Sequence, residues 1–121
     1  MSVRSGCFFG HVGADWTDDD REMTLSRALV FVDAAGKAWT APAGSVINGA
    51  SIPRLFWWPI GSPFCGRYRR ASVIHDVYCT IRSEPWPAVH RVFLEMMAVD
   101  KVPWLQRRLM FAAVWCFGPR W

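Results

Sequence analysis

Hydrophobic positions along this chain follow two regimes. Between Met23 and Ile47 apolar residues come in short runs separated by turn signals. The run Thr24-Leu25-Ser26-Arg27-Ala28-Leu29-Val30-Phe31-Val32 predicts one strand. Asp33 to Lys37 is a turn containing Gly36, and Ala38-Trp39-Thr40-Ala41 is the returning strand. Pro42-Ala43-Gly44 then leads into a short strand, Ser45-Val46-Ile47. Residues 1–22 show no period and are expected to be irregular.

Beyond this point the spacing becomes helical. Asn48-Gly49 is a turn signal, and Ser51 followed by Pro53 marks a helix start with the Ser51 hydroxyl as N-cap. A nucleophilic Ser51 would need the glycine-flanked elbow that this stretch lacks. Leu55, Phe56, Trp57 and Trp58 predict a short apolar helix, ended by Pro59 and Gly61. The helix expected from about Arg67 to Arg82 carries the stripe Ile74, Val77, Tyr78 and Ile81. Ser83-Glu84-Pro85-Trp86-Pro87 opens the next, because prolines fit a first helical turn and not a later one. Its predicted buried face is Val89, Val92, Phe93, Met96 and Met97. Val102-Pro103-Trp104 starts a last helix, with Leu105, Leu109, Ala112, Ala113 and Cys116 as its apolar face and Gly118-Pro119 as its stop. The plan is α+β: a β-hairpin or small antiparallel sheet over 23–47, then three to four helices over 48–121, in one domain without internal repeats.

Composition narrows the class. A chain of 121 residues that is 52% hydrophobic, with eight tryptophans, has the material for a packed core and is not of the disordered type. So much Trp in a small body also points to a surface for partners, with Trp57, Trp58, Trp104 and Trp121 as candidates. Every apolar run is interrupted too early to span a membrane, and the first residues lack the apolar core of a secretory signal. A cytoplasmic product is expected, unless it leaves by lysis or as part of a larger particle. A net charge of +4 is mild, and Arg67, Arg69, Arg70, Arg107 and Arg108 come without a nucleic-acid motif. Cys7, Cys65, Cys79 and Cys116 contain no CxxC pair, which argues against a zinc ribbon or redox motif and for reduced thiols. Asp15, Asp18, Asp19 and Asp20 lack the glycine and closing glutamate of an EF-hand loop.

The chemistry concentrates in His75-Asp76, at the edge of an apolar stripe where side chains can face a cleft. Two such groups inside a packed helix need partners. One reading is structural: a hydrogen-bonded His75, and Asp76 paired with Arg69, Arg70 or Arg82. The other is catalytic, with His90 on the following helix as the third member and Tyr78 beside the substrate. A third is a divalent metal held by His75, Asp76 and His90, completed by Asn48 or Cys79; Cys79 lies four residues after His75, on the same helical face. The pattern does not require a metal. The tight Ser83-Glu84-Pro85 link predicts that the two helices are antiparallel neighbours with His75 beside His90.

Pro42-Ala43-Gly44, Gly49-Ala50-Ser51-Ile52-Pro53-Arg54, Ile60-Gly61-Ser62-Pro63, Gly66-Arg67-Tyr68 and His75-Asp76-Val77-Tyr78 together resemble domain-of-unknown-function family 1353, as does Arg91-Val92-Phe93-Leu94-Glu95-Met96-Met97. That resemblance covers about residues 23–117 and implies a phage or prophage setting. It also implies acids at the positions of Asn48 and His90, where this chain has an amide and an imidazole. A weaker resemblance, to the two-helix core of phospholipase A2, implies His75 as base, Asp76 as a calcium ligand, and His90 in the place of the orienting acid. The paired cysteines and glycine-rich calcium loop of those enzymes are absent. Two functions are therefore expected: a hydrolase-like protein acting on cell-envelope material during lysis or genome entry, or a non-enzymatic virion or tail component or host-protein inhibitor with a degenerate site.

Overall fold

The computed structural model describes residues 6–9, 14–16, 23–47 and 69–121. Asn48, Ser51, the 55–58 segment with Trp57 and Trp58, Cys65 and Arg67 lie outside them. Six short strands come first: β1 (Cys7–Phe9), β2 (Ala14–Trp16), β3 (Met23–Leu25), β4 (Leu29–Val32), β5 (Ala38–Ala41) and β6 (Val46–Ile47). They are followed by helices α1 (Arg69–Ile81), α2 (Trp86–Val99) and α3 (Trp104–Phe117). Among the described residues the architecture is α+β, with small antiparallel sheets preceding three helices.

The strands form two three-stranded sheets, ordered β1-β4-β5 and β2-β3-β6. The single strand expected over 24–32 is thus two strands in different sheets. Ser26, Arg27 and Ala28 are exposed in succession, and three outward residues in a row break the period-two alternation a continuous strand requires. Two strands also lie in the stretch expected to be irregular. At three residues each they are too short to show a period, and pairing holds them: β1 to the non-consecutive β4, with Phe8 opposite Phe31, and β2 to the next strand, with Asp15 opposite Thr24.

The hairpin joining β4 to β5 follows from its sequence. Leu29 and Phe31 alternate inward with Trp39 and Ala41, in the register Leu29–Ala41 and Phe31–Trp39. Gly36 takes φ +89° in the turn, where a side chain would be strained. Asp33 organises the loop. Its Oδ1 accepts the backbone N–H groups of Ala35 (3.0 Å) and Lys37 (2.9 Å), and its Oδ2 accepts the Trp39 indole N–H (3.0 Å). Burial pushes the Asp33 pKa up, but these three donors and the Lys37 charge outweigh it and hold the carboxyl below its usual range.

Helix α1 is the hub, packing on α2 and on β4, β5 and β6, while α3 packs on α2. Ala71, Ile74 and Val77 meet Phe31, Phe93, Met96 and Met97 in one core. The Tyr78 hydroxyl accepts the Thr40 backbone N–H at 2.9 Å, and its ring meets Trp39 edge-on. Arg82 (φ 59°) and Lys101 (φ 61°) reverse the chain after α1 and α2. Arg70 of α1 pairs with Asp100 at the end of α2, its Nε donating at 3.1 Å.

Two predicted faces need correction. Ile81 is exposed, because it lies in the last turn of α1 between exposed Thr80 and Arg82. In α3 the buried residues are Met110, Ala113 and Val114, whereas Leu105, Leu109, Ala112 and Cys116 face outward. Apolar residues surround this helix, so periodicity alone does not choose the packed side. Among the described residues, no helix is long and apolar enough to cross a membrane.

Candidate functional site

Helix α1 buries two stripes. Ala71, Ile74 and Val77 are apolar; Ser72, His75, Asp76 and Cys79 recur at intervals of three, one and three residues and form a polar seam beside them. A seam of this kind inside a core requires a partner for each group. Helix α2 supplies one. His75 Nε2 lies 2.8 Å from His90 Nδ1. The neighbouring antiparallel course of α1 and α2, through the short link at 82–85, brings the two rings together as their spacing implies.

The protons in this pair can be placed by elimination. His90 Nε2 is 3.0 Å from the Pro119 carbonyl oxygen, which can only accept, so Nε2 carries the hydrogen. Neutral His90 therefore presents a bare Nδ1, and His75 must donate to it from Nε2–H. That leaves His75 Nδ1 as an acceptor, with the Cys79 Sγ 3.9 Å away and 3.6 Å from Nε2. Burial drives the His75 pKa well below the ordinary histidine value, and His90 adds to the effect. For His90, burial again leads, with the Arg120 charge acting the same way and the Pro119 hydrogen bond opposing. Both rings are neutral at pH 7.

Neither ring reaches the surface. His75 is 0% exposed and stacks on Phe93, with centroids 4.4 Å apart. His90 is also buried, inside a box of Trp86, Trp115 and Trp121 with centroids 5.6, 6.4 and 6.3 Å from its own. Guanidinium groups cover the outer walls: Arg120 over Trp86, Arg91 over Trp115 and Arg82 over Trp121. Trp121 is thus half-buried in the box, not part of a free tryptophan surface, and its indole N–H donates to the Glu84 carbonyl at 2.8 Å. Residues Trp86, Trp115, Pro119 and Trp121 escape a reading by motif because they come from two segments, the start of α2 and the stretch 115–121, almost thirty residues apart. The only local signal is Trp86, four residues before His90.

Cys79, rather than Asp76, joins the two histidines. The donor atoms of His75, Cys79 and His90 all lie within 4.8 Å of one another. Asp76 follows His75 directly and so projects about 100° further round the helix. It is buried, and its proximity still acts on Cys79: burial first, then the Asp76 charge, push the thiol pKa up to about 12. Tyr78 is engaged with β5.

A separate groove of about 360 Å³ lies between the β4–β5 hairpin and α2, lined by Asp33, Lys37, Trp39, Arg91 and Glu95 among others. Burial and the nearby Asp33 raise the Glu95 pKa, against a hydrogen bond from the Ala34 N–H. It holds neither histidine.

The family described as Protein of unknown function (DUF1353) matches residues 23–114. The chain belongs to this family. The match runs from β3 into α3 and so includes His75, Cys79 and His90 of this DUF1353 member, but stops short of Pro119 and Trp121. Two similar proteins come from Sinorhizobium fredii. "Uncharacterized protein y4jT" is 42% identical over 97 residues, 80% of this chain and 29% of that protein. "Uncharacterized protein y4iH" is 38% identical over 116 residues, 95% of this chain and 48% of that protein. The chain therefore spans less than half the length of either relative. No solved structure shows a significant match.

Proposed function

We propose that this DUF1353 chain is a non-enzymatic assembly module of a phage or prophage system, a virion or tail component or an inhibitor of a host protein. The observation that carries this reading is the outer face of α3. Trp104, Leu105 and Leu109 are 61%, 64% and 50% exposed on the side of the helix turned away from buried Met110 and Val114, and Phe117 is 69% exposed at its C-terminal end. Large apolar side chains held out along a helix suit docking against another apolar surface. The His75–His90 pair is then a polar staple between α1 and α2, since a base with no exposed surface and its proton already committed is poorly placed to activate water.

The test has two arms. Leu105→Glu combined with Leu109→Glu should leave the melting temperature within a few degrees and abolish incorporation into particles, or the partner's inhibition, in a phage complementation assay. Peptidoglycan and phospholipid vesicles incubated with the pure protein should show no turnover. Turnover lost in His75→Ala would overturn the reading.

A hydrolase-like site acting on cell-envelope material is the second reading. It is favoured by one observation: among the described residues, Ser72 Oγ is buried without a hydrogen-bond partner on the seam that carries His75 and Asp76. An unsatisfied buried hydroxyl is uncommon in a purely structural core and more common at functional sites.

A further inference from the structure

We infer that His75, Cys79 and His90 form a buried binding site for a thiophilic transition-metal ion of the zinc class. The donors are two imidazole nitrogens and one thiol sulfur, the set that zinc, cobalt(II) and copper(I) take in preference to calcium or magnesium. Tetrahedral zinc places two nitrogen ligands about 3.4 Å apart and a nitrogen and a sulfur about 3.6 Å apart. Here the His75–His90 nitrogens are 2.8 Å apart and the Cys79 Sγ is 3.6 Å from His75 Nε2. A rotation of the rings by a few tenths of an ångström opens the first distance. Two ligands four residues apart on α1 and a third on α2 clamp the helices together.

The surroundings match. His90 donates its Nε2–H to the Pro119 carbonyl, the outer-shell bond that fixes a metal-binding histidine and leaves Nδ1 for the ion. The ion replaces the hydrogen shared by the two rings. His75 moves that hydrogen from Nε2 to Nδ1, Cys79 releases its thiol proton to solvent, and the thiolate with the adjacent Asp76 carboxylate balances the two positive charges. Because the site is enclosed, loading accompanies folding, as at structural zinc sites. This proposal is independent of the α3 surface: either can fail without the other.

The experiment is to unfold the full chain in chelator and reductant, then refold it with zinc, cobalt(II) or neither. Zinc at a hundredfold excess over its Kd should raise the melting temperature by on the order of 10 °C. Cobalt(II) should give tetrahedral visible bands and a thiolate charge-transfer band, and quench the emission of the tryptophans around His90. Cys79→Ser should lose the charge-transfer band, and His90→Gln should weaken binding at least tenfold. Refolding without any metal-dependent shift or band overturns the site. So does a cobalt spectrum unchanged in both variants, which places the ion elsewhere. If one variant does not fold, the other variant and the wild-type spectrum still decide the ligands.

Discussion

His75→Ala is the substitution that reads the centre of the molecule most directly. It removes a fully buried ring stacked at 4.4 Å on Phe93 and strips His90 Nδ1 of its donor. Truncating a buried phenylalanine costs about 3–5 kcal/mol; imidazole is smaller, so the cavity here accounts for roughly 2–3 kcal/mol. An acceptor left unsatisfied inside the core adds about 1–3 kcal/mol. The sum, about 3–6 kcal/mol, is a large share of the 5–15 kcal/mol that holds a domain of this size together. It corresponds to a fall in melting temperature of roughly 10–20 °C. Urea unfolding followed by circular dichroism measures it, with His75→Gln as the control: the amide N–H₂ can still donate to His90, and should recover about 1 kcal/mol. A double-mutant cycle with His90→Ala should give a coupling of 0.5 kcal/mol or more. A loss below about 1 kcal/mol for His75→Ala, together with abolished function, would refute the structural role and restore the catalytic one.

Two further outcomes follow from the electrostatics. Both histidines have folded pKa values below the unfolded value, so the unfolded chain binds more protons. Their contribution is present at neutral pH and is lost as pH falls below about 6.5, at up to about 1.4 kcal/mol per pH unit for each ring. Urea midpoints at pH 8 and pH 5.5 should differ accordingly, and a flat profile would contradict the neutral pair. Asp33→Asn weakens acceptors for Ala35, Lys37 and Trp39 and should cost about 1–3 kcal/mol, with a shift in tryptophan emission; an unchanged midpoint would show that the loop does not depend on the carboxylate.

The meeting of His75 and His90 is legible in the sequence because it rests on local rules: helical spacing on each side and a three-residue link too short to separate the helices. How deep the rings lie is not. An edge-of-stripe position becomes a core position only when a third layer covers it, and that layer is Trp115 from α3 with Pro119 and Trp121 from beyond it. The same applies to α3. Leu105 and Leu109 follow the helical period as well as Met110 and Val114 do, and only contact with α2 selects between the two sides. In the β region the Asp33–Gly36 turn is encoded by its own residues, whereas β1 exists through pairing with the non-consecutive β4, and β2 is too short to show a period before it pairs with β3.

The Pro119 carbonyl has a consequence for the order of events in synthesis. It answers His90 from 29 positions later in the chain, after the whole of α3 has been made. At ordinary elongation speeds that is a delay of roughly 2–6 s, far longer than two helices need to meet. During this interval α1 and α2 can pair, but either nitrogen of His90 can carry its hydrogen, and two wall tryptophans are still missing. The tautomer, and with it the direction of the His75 bond, is therefore fixed late, when the Pro119 carbonyl docks against His90. A chain stalled just after α3 would hold all three donors of the centre, yet lack the group that sets their polarity.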